Sequence, residues 1–249
     1  MLSFDRLLPP GGPASIEELL EHVRPAERAP EDRPLVLVNM VATADGLITI
    51  GGRSGPIGGP GDHALFHGLR TIVDAVLVGT GTLRVERYGR LVRDPGRRRQ
   101  RAEAGLAQDP IALLISRSGR LPWDAPLFAA PEQHVVVVAP PGAPAPPADL
   151  GARIEMVEMD APTPASALRA ARSRFGIRSV LCEGGPTLNR SLLADGVLDE
   201  LFLTIGPILA GSGDALRIVA GEPLEEPIRL ALLSVAHAGG ELFLRYAVE

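Results

Sequence analysis

Short apolar runs alternate along the chain with stretches whose apolar residues recur at helical spacing. A short apolar run that is bounded by turn residues predicts a strand covered on both faces of a sheet. The strongest run is residues 35–41, which we expect to lie centrally. The other predicted strands are residues 75–78, 111–115, 135–138, a short edge strand at 153–157, 179–182 and 200–205.

Helices are predicted between these strands. They are residues 15–23, a helix beginning at Asp62, residues 163–175 and a helix beginning at Pro186. The first carries a capping box of Ser15 and Glu18. Asp62 is a suitable N-cap for the second helix, and Pro186 suits the first position of the last.

The alternation of strand and helix predicts an α/β fold with a mostly parallel central sheet that is flanked by helices. Residues 228–236 and 241–248 are two further strands joined by Gly239 and Gly240, which predicts a C-terminal antiparallel hairpin. We divide the chain into an N-terminal extension at 1–33, irregular apart from its short helix, and a main domain at 34–249.

Glycine and hydroxyl residues follow several of the predicted strands. These loops are residues 51–59, 79–82, 116–119, 183–187 and 206–213. In an open α/β sheet the ligand lies across the carboxyl ends of the strands. The pattern therefore favours a long phosphate-bearing ligand such as a dinucleotide, although the usual Gly-x-Gly-x-x-Gly motif is absent.

The turn at Gly184 and Gly185 is the strongest candidate for a phosphate site. A strand that passes through paired glycines into a helix leaves the first-turn N–H groups free to meet an anion. Thr187 and Asn189 could add side-chain donors. The alternative is a plain strand-to-helix turn with nothing bound, which many α/β proteins contain.

Composition narrows the function classes. The net charge of −5 argues against general nucleic-acid binding. Every basic residue is arginine, so the chain has neither a Schiff-base lysine nor the lysine of a nucleotide-binding P-loop. The N-terminus has no basic lead and no apolar run approaches the length of a membrane span, so we expect a cytoplasmic protein without membrane contact.

No metal site is expected. Cys182 is the only cysteine and lies in an apolar run, which predicts a buried and inert thiol. His63 and His67 are one helical turn apart, but they do not form a His-Glu-x-x-His motif and are interpreted as helix-surface residues. The arginine-rich residues 97–101 are interpreted as a solvated loop.

Several short motifs occur together in a fixed order. They are residues 45–46, 54–62, 69–70, 78–82, 116–119, 183–188, 197–201 and 204–207. With these motifs the chain resembles the stand-alone pyrimidine reductases of the riboflavin pathway, which have a dihydrofolate-reductase-like fold and resemble the C-terminal domain of the bifunctional deaminase-reductase. The resemblance spans about residues 35–246. The His-x-Glu and Pro-Cys-x-x-Cys motifs of the zinc deaminase are absent, so only reduction is expected.

The resemblance implies a homodimer that uses NADPH to reduce the ribosyl group of a ribosylaminopyrimidine 5′-phosphate to ribityl, with 34–249 as the reductase domain. The implied cofactor-binding residues are Ala42, Gly79, Thr80, Thr82, Glu86, Ser116, Arg117, Gly184, Gly185, Pro186 and Thr187. The implied substrate-binding residues are Ser54, Arg70, Arg93 and Glu183. The candidate catalytic residues are Asp45 and Glu183.

Physical chemistry supports these roles but leaves alternatives. A guanidinium forks onto phosphate, which suits Arg70 and Arg93 to the ribose phosphate and Arg117 to the 2′-phosphate of NADPH. Arg70 could instead be a solvated helix residue, and Arg117 part of a plain turn. Glu183 could bind substrate hydroxyls or simply mark a helix start, and Asp45 could orient or protonate substrate or cap a turn.

One departure from the family pattern bears on the substrate. The residue before Asp45 is Ala44, where relatives often have a larger side chain, and this change could alter the substrate pocket. Two other functions therefore stay open. One is an NADPH-dependent reductase of a pterin such as dihydrofolate, and the other is a non-catalytic nucleotide-binding protein of the same fold.

Overall fold

The computed structural model describes residues 2–211 and 216–249. Within them, eleven strands form one sheet in the order β2-β1-β10-β11-β9-β3-β8-β4-β5-β6-β7. The strands are β1 (Phe4–Leu8), β2 (Pro13–Ala14), β3 (Leu35–Thr43), β4 (Ala75–Gly79), β5 (Ile111–Ile115), β6 (His134–Ala139), β7 (Arg153–Glu158), β8 (Ser179–Cys182), β9 (Glu200–Gly206), β10 (Leu230–Ala238) and β11 (Glu241–Val248). The helices are α1 (Ile16–Leu20), α2 (Pro60–Thr71), α3 (Thr80–Glu86), α4 (Pro95–Glu103), α5 (Pro164–Phe175) and α6 (Pro186–Ala194).

The parallel half of the sheet confirms the predicted α/β architecture. Strands β9, β3, β8, β4, β5, β6 and β7 are parallel neighbours in that order. β3 is central and buried along nearly its whole length, because one apolar core packs on each face of the sheet. This double burial explains why its sequence is apolar at almost every position. The predicted edge strand is β7.

The other half of the sheet is antiparallel, as the C-terminal hairpin predicts. β10 and β11 pair through a turn in which Gly239 and Gly240 both have positive φ, 59° and 86°. Glycine is the residue that adopts these values without strain. β10 begins at Leu230, slightly later than the sequence suggests.

The N-terminal segment contains two strands that the sequence did not indicate. β1 pairs antiparallel with β10, and β2 pairs with β1, so both extend the antiparallel edge. Phe4 is completely buried and meets Phe243 edge-on, with 5.0 Å between ring centroids. The predicted capping box of α1 is confirmed by reciprocal bonds between Ser15 and Glu18. The division of the chain at residue 34 stays a prediction.

The interpretation of the arginine-rich run as a solvated loop was wrong, because residues 97–101 lie in α4. Asp94 caps this helix by accepting from the N–H of Arg97 at 2.8 Å. The Arg101 side chain is buried and donates to the carbonyls of Arg70, Val73 and Ala107. Burial lowers the pKa of Arg101 to about 10. α4 is thereby fastened to the end of α2.

None of the helices in the described ranges has both the length and the apolar character that crossing a bilayer requires.

Candidate active site

A cleft of about 1410 Å³ opens at the carboxyl ends of the central parallel strands. Most of the predicted site residues line it, as expected for an open α/β sheet. They are Ser54, Arg70, Gly79, Thr80, Thr82, Glu86, Arg93, Ser116, Arg117, Glu183, Gly184, Gly185, Pro186 and Thr187. The structure thus brings together side chains from widely separated parts of the chain.

The turn between β8 and α6 lies against the turn between β4 and α3. The N–H of Gly79 donates to the carbonyl of Gly184 at 2.9 Å. A Cβ on Gly185 would lie 2.8 Å from Oγ1 of Thr82, so only glycine leaves this approach open. Gly184 has a φ of 85°, and the peptide between Gly184 and Gly185 is cis. The N-cap residue, Gly185, provides no side-chain cap, so the first N–H groups of α6 are available to a ligand.

The two predicted side-chain donors near this turn differ in exposure. Thr187 is exposed in the first turn of α6 and lines the cleft. Asn189 is buried, and its amide donates to the carbonyl of Ile218 at 2.9 Å, so the expectation that it adds a donor for phosphate was wrong. Cys182 is buried as predicted, and burial raises the pKa of its thiol to about 12.

The end of β5 supplies a second polar edge of the cleft. Ser116 is buried and its hydroxyl donates to the carbonyl of Arg120 at 3.3 Å. Arg117 follows it, is exposed, and lines the cleft. An exposed guanidinium beside a hydrogen-bonded hydroxyl suits binding of a phosphate group.

Arg70 and Glu183 form a buried ion pair in the cleft wall. Nε and Nη2 of Arg70 donate to the two carboxylate oxygens of Glu183 at 2.6 and 2.7 Å. Nη1 of Arg70 donates to the carbonyl of Leu91 at 2.7 Å. Burial alone would lower the pKa of Arg70, but the charge and hydrogen bonds of Glu183 leave it raised. Arg70 does reach the strand ends, where its first partner is a carboxylate of this chain.

Aromatic rings surround this ion pair. The guanidinium carbon of Arg70 lies 4.1 Å from the ring centroid of Phe66 and 5.4 Å from that of Tyr88. Burial, and next the charge of Glu183, raises the pKa of the Tyr88 hydroxyl well above its ordinary value. Tyr88 therefore remains a neutral hydrogen-bonding group in the cleft at any physiological pH.

Ser54 and Glu86, predicted for substrate and cofactor respectively, bind each other. The backbone N–H and the hydroxyl of Ser54 both donate to Oε1 of Glu86, at 3.1 and 3.0 Å. This contact ties the glycine-rich loop that precedes α2 to α3, and both residues line the cleft.

Three neighbouring basic residues line the same cleft, and of these only Arg93 was predicted. Arg93 is exposed in the cleft wall, and His67 and Arg97 line the cleft beside it. Desolvation at the cleft wall, and then the charges of Arg70 and Arg97, lower the pKa of His67 to about 4. His67 lies on the helix surface as interpreted, but that surface faces the cleft. His67 precedes Arg70 by three residues, and this spacing could have predicted that both side chains lie on the same face of the helix.

Asp62 and Asn39 were also missed. Asp62 lies within α2 and is not its N-cap, so that prediction was wrong. The helix start is held by Glu241, whose carboxylate accepts from the N–H groups of Gly59 at 2.7 Å and Gly61 at 3.1 Å. Among the described residues, Oδ1 of Asp62 and Oδ1 of Asn39 are buried without a hydrogen-bond partner. Burial raises the pKa of Asp62, the hydrogen bond with the hydroxyl of Thr204 offsets part of this rise, and the charge of Glu241 adds to it.

Two predicted residues lie elsewhere. Ala42 is buried in the core, and Asp45 lies in the turn after β3; the residues that line the cleft within the described ranges include neither. Asp45 accepts from the hydroxyl of Thr43 at 2.5 Å and from the N–H of Gly211 at 2.8 Å. These bonds, led by that from Thr43, lower the pKa of Asp45. The geometry favours the turn-capping alternative over a proton donor.

Comparison with known proteins identifies the family of this chain and agrees with its fold. Residues 34–244 match the RibD C-terminal domain. The chain belongs to this family. Within the RibD C-terminal domain family, a curated relative from Methanothermobacter thermautotrophicus, named 2,5-diamino-6-ribosylamino-4(3H)-pyrimidinone 5′-phosphate reductase, is 32% identical over 87% of this chain and 99% of its own.

Solved structures related to the RibD C-terminal domain family have the same fold. A pyrimidine reductase-like protein from Corynebacterium diphtheriae has a TM-score of 0.78 and 25% identity, covering 95% of this chain and 99% of its own. A Thermotoga maritima protein, named a diaminohydroxyphosphoribosylaminopyrimidine deaminase and 5-amino-6-(5-phosphoribosylamino)uracil reductase, has a TM-score of 0.67 and 24% identity. It matches over 86% of this chain and 56% of its own.

Proposed function

We propose that this protein is an NADPH-dependent reductase of riboflavin biosynthesis, which reduces the ribosyl group of a ribosylaminopyrimidine 5′-phosphate to ribityl. The observation that carries the proposal is one cleft with two chemically different halves. One half has a glycine turn at a helix start together with Arg117, and the other has the Arg70–Glu183 pair with aromatic and basic neighbours. A dinucleotide and a phosphorylated sugar require these two kinds of surface.

The glycine half fits the cofactor. A Cβ on Gly185 would clash with Thr82, which restricts this position to glycine. Because no side chain caps α6, the first-turn N–H groups that follow Pro186 can bind a diphosphate. Gly184, Gly185, Pro186 and Thr187 would hold the diphosphate, and Ser116 and Arg117 the 2′-phosphate. When bound, NADPH supplies the hydride that reduces the anomeric carbon of the substrate; the protein supplies placement and exclusion of water.

The other half fits the substrate. Glu183 is held rigidly by Arg70, so it can orient a sugar hydroxyl without moving. Arg93 is exposed and lines the cleft, which suits it to the ribose phosphate, and Arg97 and His67 add donors beside it. A direct role of Arg70 in binding the phosphate stays a prediction, as does a catalytic role of Asp45.

We further propose a homodimer formed through the antiparallel half of the sheet. On one face, Leu242 of β11 pairs with Ile205 of β9, and Leu244 pairs with Leu203. Leu242 is 39% exposed, and Leu232 of β10 is 44% exposed on the same sheet. An apolar strip of this kind on a sheet is typical of a subunit interface. The cytoplasmic location also stays a prediction.

The test is an assay of NADPH oxidation by the purified protein with the ribosylaminopyrimidine phosphate, with dihydrofolate as a parallel substrate. We expect turnover of the pyrimidine only, and NADPH to be preferred over NADH. Replacing Arg117→Ala should reduce that preference by roughly 10- to 150-fold, because one or more charge-assisted hydrogen bonds are lost.

The matched control is Arg120→Ala, since Arg120 is also exposed but is not among the described residues that line the cleft. It should leave the preference unchanged. Turnover of dihydrofolate alone would contradict the proposed substrate, and an unchanged cofactor ratio in Arg117→Ala would contradict the assignment of Arg117.

A further inference from the structure

Asp62 is a buried carboxylate that lines the cleft, and the hydroxyl of Thr204, the neighbouring side chain that can donate to it, supplies at most one hydrogen to its two acceptor oxygens. The residue is 7% exposed, and its Oδ1 has no hydrogen-bond partner among the described residues. Asn39, on the neighbouring strand β3, is also 7% exposed with an unpartnered Oδ1, and it lines the same cleft. Buried polar atoms are nearly always paired in folded proteins, so these oxygens indicate a ligand that brings hydrogen-bond donors.

The position of Asp62 is fixed by its surroundings. Glu241 accepts from the N–H of Asp62 at 3.4 Å as well as from the two N–H groups before it, so the hairpin β10–β11 holds the start of α2 in place. Phe66 and Arg70 follow Asp62 at intervals of four residues and also line the cleft. This spacing places the three side chains on one face of the helix.

The shape and charge of this face suit a flat heterocycle. Phe66 offers an aromatic surface, and Asp62 offers a carboxylate with acceptor capacity at the polar end of the face. A carboxylate accepts best from two parallel N–H donors, as it does from a guanidinium. A 2-aminopyrimidin-4-one presents such a pair, namely its ring N3–H and its exocyclic 2-amino group.

We propose that Asp62 is a specificity-determining residue, which accepts from N3–H and the 2-amino group of the substrate and so selects the diaminopyrimidinone over its deaminated uracil counterpart. This inference rests on the proposed function and deepens it. The Methanothermobacter relative is named a reductase of the diamino compound, whereas the Thermotoga protein is named a deaminase of the diamino compound and a reductase of the uracil compound.

The chemistry of the two compounds decides the sign of the preference. Deamination replaces the 2-amino donor by a carbonyl oxygen, which is an acceptor. The uracil compound would therefore lack one charge-assisted hydrogen bond to Asp62, and its C2 carbonyl oxygen would face a negatively charged acceptor. We therefore expect kcat/KM for the diamino compound to exceed that for the uracil compound by roughly 10- to 150-fold or more.

The experiment measures kcat/KM for both compounds with wild type and with Asp62→Asn. Asparagine has the same shape, but its Oδ1 can accept from N3–H while its amide donates to the C2 carbonyl. The variant should lose efficiency toward the diamino compound and gain it toward the uracil compound, so the ratio should fall by at least about tenfold. Thermal unfolding of the variant checks that it folds.

The matched control is Asp195→Asn, which removes the same charge from an exposed residue of the same cleft. Its ratio should equal that of wild type. A shift of equal size in the control would overturn the proposal, because it would show a general effect of charge in the cleft.

The outcomes separate this inference from the proposed function. If wild type reduces both compounds equally well, or prefers the uracil, the role of Asp62 is refuted while the reductase function stands. The same holds if Asp62→Asn keeps the wild-type ratio. If wild type reduces neither compound, the proposed function fails and the inference fails with it. Because the wild-type ratio is informative alone, the test does not depend on the variant folding.

Discussion

Arg70 and Glu183 show how a side chain can be structural and functional at once. Their bidentate pair is buried, and removal of one partner leaves the other charge without compensation. We predict that Arg70→Met lowers the free energy of unfolding by about 3–5 kcal/mol, measured by denaturant titration. The double variant Arg70→Met with Glu183→Leu should regain most of this loss.

Arg93→Met is the control for this prediction, since Arg93 is exposed and its loss should change stability by no more than about 0.5 kcal/mol. Arg93→Met should instead reduce kcat/KM for the phosphorylated pyrimidine more than for its dephosphorylated form. If Arg70→Met shows that selective loss at full stability, Arg70 reads the phosphate directly and its pairing with Glu183 is secondary.

The turn between β8 and α6 is the element on which cofactor binding depends. We predict that Gly185→Val weakens NADPH binding by at least about tenfold, because a branched side chain would clash with Thr82 and displace the turn that begins α6. Calorimetric titration with NADPH measures the change. The control is Gly12→Val, where a Cβ meets nothing within 4 Å. Wild-type affinity in Gly185→Val would show that the diphosphate binds elsewhere.

Elements differ in how well the sequence predicted them. β3 and β8 were predictable because burial on both faces requires an apolar run, and the final hairpin because Gly239 and Gly240 supply its turn. β1 is largely exposed and forms because β10 offers it a partner, which no local pattern reveals. α4 was missed because its arginines suggested solvent, although Asp94 and Pro95 formed a recognisable helix start.

For the molecule as a whole, the place of the cleft followed from the sequence but its internal pairing did not. Parallel strands end at one edge of a sheet, so the glycine loops had to meet there. The pairing of Arg70 with Glu183 joins residues 113 positions apart, and spacing within a helix or strand carries no information on such a contact. The unpartnered oxygen of Asp62 could not be predicted from the sequence, because the packing of β3, α2 and the hairpin decides its burial.

The proposed dimer gives the last prediction. Leu232 and Leu242 are half-exposed leucines on β10 and β11, and we expect a second copy to cover them. The double variant Leu232→Glu with Leu242→Glu should raise the dimer dissociation constant by at least roughly 100-fold, since burying unpaired carboxylates costs several kcal/mol. Sedimentation should show two copies of the 26.2 kDa chain in wild type and one in the variant. The control is Val85→Glu, because Val85 is an apolar residue of α3 that is 50% exposed; this variant should remain dimeric. If the wild-type protein sediments as a single chain at every concentration, the proposed homodimer is contradicted.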